Sequence, residues 1–98
     1  MARRTIRGSK SAEAERNRIL AYWVEHNGSA VFSKRIFNKI KESTTLISKH
    51  PHIGKPTTMK DIRVWHIEQF LLTYQLTDKN INILAIRDMR QNPLHDNS

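Results

Sequence analysis

Arginines, lysines and histidines are the side chains through which this sequence could act, and cysteine is absent. Without a thiol there is no disulfide framework, no thiolate zinc site and no cysteine nucleophile. The five histidines form no metal-ligand pattern: His50 and His52 straddle Pro51, His66 falls in an alternating run, and His26 and His95 stand alone. None has helical i, i+4 spacing or an acidic companion at a recognisable interval. No metal or other cofactor is therefore expected. The three glycines stand apart, so no phosphate-cradling loop is present. Serines and threonines are many, but nothing in their spacing marks one as an activated nucleophile.

The cations remain. Arg63 opens one alternating run, Arg87 closes another and Arg90 follows it, while Lys55 and Lys60 lie in and after a proline-containing loop. Brought to one edge of a sheet, such residues could hold a phosphate backbone and stabilise charge developing during RNA cleavage. The arginines could equally pair with Asp61 and Asp88 as surface salt bridges, and spacing alone favours that reading. Trp65 shares the alternating face of Arg63. An exposed indole there could stack on a base, although core packing is the commoner use of tryptophan. Arg16 falls inside an apolar stripe near a helix end, where it is expected to extend its guanidinium to water rather than bind an acidic partner.

Charge supports an anionic partner. The formal net charge is +8 over 98 residues, which favours nucleic acid, an acidic protein or a membrane surface. The excess is uneven: residues 1–20 carry +4 and residues 34–60 carry +6, whereas residues 61–98 carry −1. No apolar run approaches the roughly 20 residues that span a bilayer. The basic start Met1-Ala2-Arg3-Arg4 leads into no apolar stretch, so no secretory signal is expected. The chain is expected in the cytoplasm, away from membranes.

These residues must be held by a small set of elements. The length suits one domain over residues 1–98. Arg3 to Ser9 reads as a short strand. Ser11 is placed to cap a first helix, with Glu13 and Glu15 in its first turn. Its apolar stripe is Ala12, Ile19, Leu20 and Trp23, and Asn27-Gly28 ends it. Ser29 is placed to cap a second, longer helix with the stripe Phe32, Ile36, Ile40 and Ile47, which Pro51 stops. After the loop from His50 to Pro56 the period changes from helical to alternating. Ile62–Ile67, Phe70–Leu76 and Ile81–Ile86 then read as three antiparallel strands joined by tight turns. The polar residues 91–98 are expected to form a mobile tail. The fold class is α/β of the α+β type: strand–helix–helix–strand–strand–strand, a helical hairpin on a small, mainly antiparallel sheet.

In that order, His50-Pro51-His52-Ile53-Gly54-Lys55-Pro56, Ile62-Arg63-Val64, Phe70-Leu71-Leu72-Thr73-Tyr74-Gln75-Leu76 and Ile81 through Pro93 resemble the RelE/ParE superfamily. Its members are toxins of type II toxin–antitoxin, or plasmid stabilisation, modules. The most specific parts are the Pro-x-Ile-Gly-x-Pro loop and the Arg87-Asp88-Met89-Arg90-Gln91-Asn92-Pro93 ending. The resemblance implies growth arrest and a cognate antitoxin whose acidic segment folds over the toxin. It also implies one of two targets. RelE-like members are ribosome-dependent mRNA interferases. ParE-like members act on DNA gyrase and need no cleavage residues of their own.

As a nuclease, this chain would use Arg63, Arg87 and Arg90, with His95 as the nearest general base. The arginine that such nucleases carry early in the third strand falls at or beside Leu71, and no tyrosine follows Arg90. These departures favour the ParE-like branch, with Lys55, Lys60, Arg63, Trp65, Arg87 and Arg90 as target-contacting residues and the mRNA interferase as the alternative.

Overall fold

The period of the apolar residues changes after Pro51, and the chain changes from helix to sheet with it. The computed structural model describes residues 4–90. In order they form β1 (Thr5–Gly8), α1 (Lys10–Asn27), α2 (Val31–Lys49), β2 (Lys55–Pro56), β3 (Ile62–Ile67), β4 (Phe70–Leu76) and β5 (Asn80–Asp88). The expected tail, residues 91–98, lies outside the described residues.

The caps differ in detail from the expectation. Ser9, not Ser11, caps α1, its Oγ accepting from the Ala12 N–H at 3.0 Å. Both are good cap types. The sheet decides between them, because the Ser9 N–H donates to Ile83 O at 3.1 Å and holds Ser9 extended. Only Glu13 then stands in the first turn. Gly28 closes α1 in the left-handed conformation (φ 66°), and the Ser29 N–H donates back to Val24 O at 3.2 Å. That bond belongs to the end of α1 and keeps Ser29 outside α2. The cap position of α2 is therefore Ala30, while Ser29 Oγ accepts from the Val31 N–H at 3.2 Å. Lys49 ends α2 ahead of Pro51, as its ring requires.

The strands form one sheet in the order β1-β5-β4-β3-β2. β1 runs parallel to β5, and the other neighbours are antiparallel. The end of the proline loop adds a strand that alternation could not reveal: Lys55 and Pro56 pair with Val64 and Arg63. Proline is tolerated there because β2 is an edge. Buried Phe70, Leu72, Tyr74 and Leu76 of β4 face Ile36, Ile40 and Ile47 of α2 and Ala12 and Ile19 of α1 across the core. Each of the leucine, isoleucine and phenylalanine side chains among them contributes roughly 1.5–3 kcal/mol on burial.

A bulge in β5 interrupts the expected alternation. Thr73 pairs with Ala85 and Tyr74 with Ile83, leaving Leu84 without a partner. The parity of β5 changes at that point. Ile81 and Ile83 face the core before it, and Ile86 and Asp88 do so after it. Arg87 is thereby turned to the opposite face. β1 ends opposite Ile83, and beyond it Glu15 of α1 takes the place of a strand: its Oε1 accepts from the Ile86 N–H at 3.3 Å. Glu15, expected to serve the dipole of α1, serves the bulge instead.

Candidate target-binding surface

Both helices lie on one face of the sheet, and the register assigns the residues of the other. Across β3, β4 and β5 the outer rows read His66–Leu71–Arg87, Val64–Thr73–Ala85 and Ile62–Gln75–Asn82. Arg7 of β1 joins the last row beside Asn82, and Lys55 of β2 pairs with Val64. Asn82 donates to Gln75 Oε1 at 3.3 Å, which fixes one polar corner. The centre of the face is mostly apolar (Val64, Leu71, Ala85 and the bulged Leu84), and exposed Arg7, Lys55, His66 and Arg87 surround it. A face of this kind offers apolar contact at its centre and positive charge at its rim, which suits a large polyanionic or acidic partner.

The cations expected to converge do not. β3 and β5 run parallel to each other, since each is antiparallel to β4, so Arg63 near the start of β3 and Arg87 near the end of β5 lie at opposite ends. They are also on opposite faces. Arg63 points inward, where its Nη1 donates to His52 O at 3.0 Å and to Gly54 O at 2.6 Å. Lys55 and exposed Lys60 are at the Arg63 end, and exposed Arg90 is at the Arg87 end. The ion-pair reading of these arginines also fails. Among the described residues, the ion pairs are those of Arg35 and Lys39 with Glu68, at 2.6 and 3.3 Å. Trp65 packs against the core and donates from Nε1 to Ser43 Oγ at 3.2 Å. Arg16 lies within α1 rather than at its end, half-buried, with its guanidinium 5.7 Å from the centre of the Phe37 ring.

Arg63 belongs to a clamp on the proline loop. Tyr74 is fully buried beneath that loop, donates to Pro51 O at 2.8 Å and accepts from the Gly54 N–H at 2.9 Å. Burial pushes the Tyr74 phenol above its ordinary value of 10, while the Gly54 N–H and the Arg63 charge pull it back. A Cβ on Gly54 would sit 2.5 Å from Tyr74 Oη, so the glycine of the loop motif is required by close approach.

A second clamp holds the end of β5. The buried Asp88 carboxylate accepts from Trp23 Nε1 at 2.6 Å, from Gln69 Nε2 at 3.2 Å and from the Arg90 N–H at 3.0 Å. The sequence carried no signal for its partner on α1, which is 65 positions away.

His66 is the functional candidate that spacing did not single out. It sits across Leu71 from Arg87, and only strand pairing brings those three into one row. With strands about 4.8 Å apart, the outer two are separated by roughly 10 Å at the backbone. His95 falls outside the described residues. Among the described residues, no three His, Asp or Glu side chains gather into a group that could hold a metal ion, and no helix is long and apolar enough to cross a membrane. On the helix side a cleft of about 210 Å³ opens between β1, α1 and α2, lined by Ile6, Ala12, Phe37, Ile40 and Leu72, with Arg16 and Lys41 also on its wall.

The model of the ParE toxin of parDE type II toxin–antitoxin systems matches residues 6–93. Among solved structures, the chain is similar to the chromosomal ParDE toxin–antitoxin system of P. aeruginosa, with 19% identity and a TM-score of 0.74 over 87% of this chain and 95% of that one. It is also similar to the E. coli DinJ-YafQ toxin–antitoxin complex, at 17% identity and a TM-score of 0.59 over 91% of this chain and 96% of that one. The YoeB dimer of Staphylococcus aureus matches at 17% identity and a TM-score of 0.62 over 88% of this chain and 97% of that one. At these identities the likeness is one of fold. No curated protein shows significant sequence similarity to the chain.

Proposed function

This chain belongs to the ParE toxin family of parDE type II toxin–antitoxin systems, and from that premise we propose that it arrests growth by acting on DNA gyrase until a cognate antitoxin neutralises it. The observation that carries the choice of target is Leu71. It occupies the centre of the outer row His66–Leu71–Arg87, where a ribonuclease of this fold would need a cation on the scissile phosphate. An apolar centre with a basic rim suits docking on a protein–DNA complex, for which binding alone suffices. Lys55 and Arg87, with Lys60 and Arg90 at the two ends, are the proposed target contacts. Arg63 and Trp65 act behind this surface, one holding the loop and the other packing the sheet on α2.

The neutralising partner fits the other side of the molecule. The cleft between β1, α1 and α2 has apolar walls with Arg16 and Lys41 beside them, which suits a segment that alternates apolar and acidic side chains and folds on binding.

One observation favours a second reading, an mRNA interferase. His66 and Arg87 flank Leu71 on one open row, and a histidine can take a proton from a ribose 2′-hydroxyl while an arginine stabilises the pentavalent phosphate. Pulse-labelling after expression without antitoxin separates the two. Early loss of DNA synthesis, with inhibition of supercoiling by purified gyrase, is the expected result. Early loss of protein synthesis with mRNA fragments, abolished by His66→Gln, would overturn the gyrase assignment. Growth that continues unchanged would overturn the toxin reading itself.

A further inference from the structure

The cations of α2 divide into two groups. Arg35 and Lys39 are neutralised by Glu68 at the β3–β4 turn. Lys34, Lys41 and Lys49 form no ion pair among the described residues, and all three are exposed. At helical spacing, Lys34, Asn38, Lys41, Thr45 and Lys49 fall on one stripe, on the side of α2 away from the buried Ile36, Ile40 and Ile47. The stripe runs for roughly 22 Å at 1.5 Å per residue, with its lysines about 10–12 Å apart. Glu42 is the single acid of the helix and flanks the stripe. Lys34 and Lys49 belong to neither the outer sheet face nor the cleft, and Lys41 alone also stands at the cleft wall.

We propose that this solvent side of α2 is a second binding surface, which holds the phosphate backbone of duplex DNA through Lys34, Lys41 and Lys49. Charge complementarity names the occupant. Lysines are compact point charges that neutralise phosphates without reading sequence. On the stripe itself Asn38 and Thr45, not apolar side chains, stand between them, and exposed Phe37 lies off the stripe on the cleft side of Lys41, which disfavours an amphipathic acidic peptide along its length. A single strand would need an open aromatic face for its bases. The nearest ring, Phe37, has Arg16 at 5.7 Å and Lys41 at 5.5 Å from its centre, so cations already occupy its surroundings. Recognition of duplex RNA would draw on groups that read 2′-hydroxyls, and the stripe offers only Asn38 and the Thr45 hydroxyl, whose proton is already donated to Lys41 O at 3.1 Å. The surface does not depend on which target the sheet face engages. A toxin that holds DNA on one side and a protein on the other would be concentrated wherever the two occur together.

The test is fluorescence anisotropy of the full chain with a labelled 20-base-pair DNA duplex at several salt concentrations. The triple variant Lys34→Gln/Lys41→Gln/Lys49→Gln is compared with an equally charged control, Lys10→Gln/Arg18→Gln/Lys79→Gln. Thermal melting checks that both remain folded. The stripe variant is expected to bind at least about tenfold more weakly at 0.1 M salt, and its slope of log K against log salt should be shallower by about 2–3. The control is expected to change by less than about threefold. Equal losses in both variants would reduce the effect to net charge and overturn the proposal. So would tighter binding of a single strand or of duplex RNA than of duplex DNA.

Discussion

At the scale of single residues, the loop motif Pro51-x-Ile53-Gly54-x-Pro56 is explained by one phenol. Tyr74 fills the space under the loop and satisfies both Pro51 O and the Gly54 N–H. Gly54→Ala forces a methyl group to within 2.5–2.9 Å of Tyr74. The expected cost is about 1–3 kcal/mol, read as a lower denaturation midpoint with an unchanged m-value. Tyr74→Phe removes the hydroxyl and leaves the buried Gly54 N–H and the half-buried Pro51 O unmatched, for a similar loss of about 1–3 kcal/mol. The same phenol makes stability depend on pH. Its folded-state pKa is raised above 10, so the unfolded chain loses this proton first. The Tyr74 contribution is complete below pH 10 and disappears as pH rises through the folded value. As pH rises past 10, denaturation midpoints should therefore fall more steeply for the native protein than for Tyr74→Phe. An identical pH dependence would remove the phenol as the cause.

At the scale of elements, the bulge of β5 decides what the sheet shows to its surroundings. Leu84 is the extra residue, and after it Asp88 faces the core while Arg87 faces out beside Leu71. Two side chains of α1 hold this arrangement: Glu15 at the Ile86 N–H and Trp23 at Asp88. Asp88→Ala strips the partner from Trp23 Nε1, Gln69 and the Arg90 N–H. It should cost about 2–4 kcal/mol, whereas Asp88→Asn keeps an acceptor and should cost less than half of that. Tryptophan fluorescence should shift in the alanine variant as Trp23 loses its fixed partner. Two variants of equal stability would show that the carboxylate does not anchor the strand. The proline loop is held separately, by Arg63. Arg63→Ala frees His52 O and Gly54 O and should speed amide exchange at Ile53 and Gly54 without changing protection in β4.

At the scale of the whole molecule, positive charge is divided between faces. The outer sheet face carries Arg7, Lys55 and Arg87 at its rim, and the solvent side of α2 carries the lysine stripe. The cleft between hairpin and sheet has Arg16 and Lys41 on its wall. An acidic antitoxin of the kind proposed would then meet positive charge on each of these three faces. Its association rate is expected to fall about tenfold or more between 0.1 and 0.5 M salt, with a much smaller change in dissociation, as stopped-flow mixing would read. A dissociation rate that rose as steeply as association fell would place the charges in the bound interface rather than in steering.

The two periods of hydrophobicity, the glycine that ends α1, the proline that ends α2 and the tight turns were enough to determine every element but the two-residue β2, and their order. They are local properties, written within a few residues of where they act. The loop and the strand endings, taken in order, were enough for the superfamily. Tertiary structure alone decided which cations share a surface. Arg63 and Arg87 look equivalent in the sequence, each beside an aspartate or one residue removed from it. Strand direction puts them at opposite ends, and one unpaired leucine puts them on opposite faces. The same bulge brings His66, Leu71 and Arg87 into line, and the core draws Arg63, Trp65 and Asp88 into structural work. Each of these outcomes depends on hydrogen-bond register between strands, which no spacing along the chain encodes.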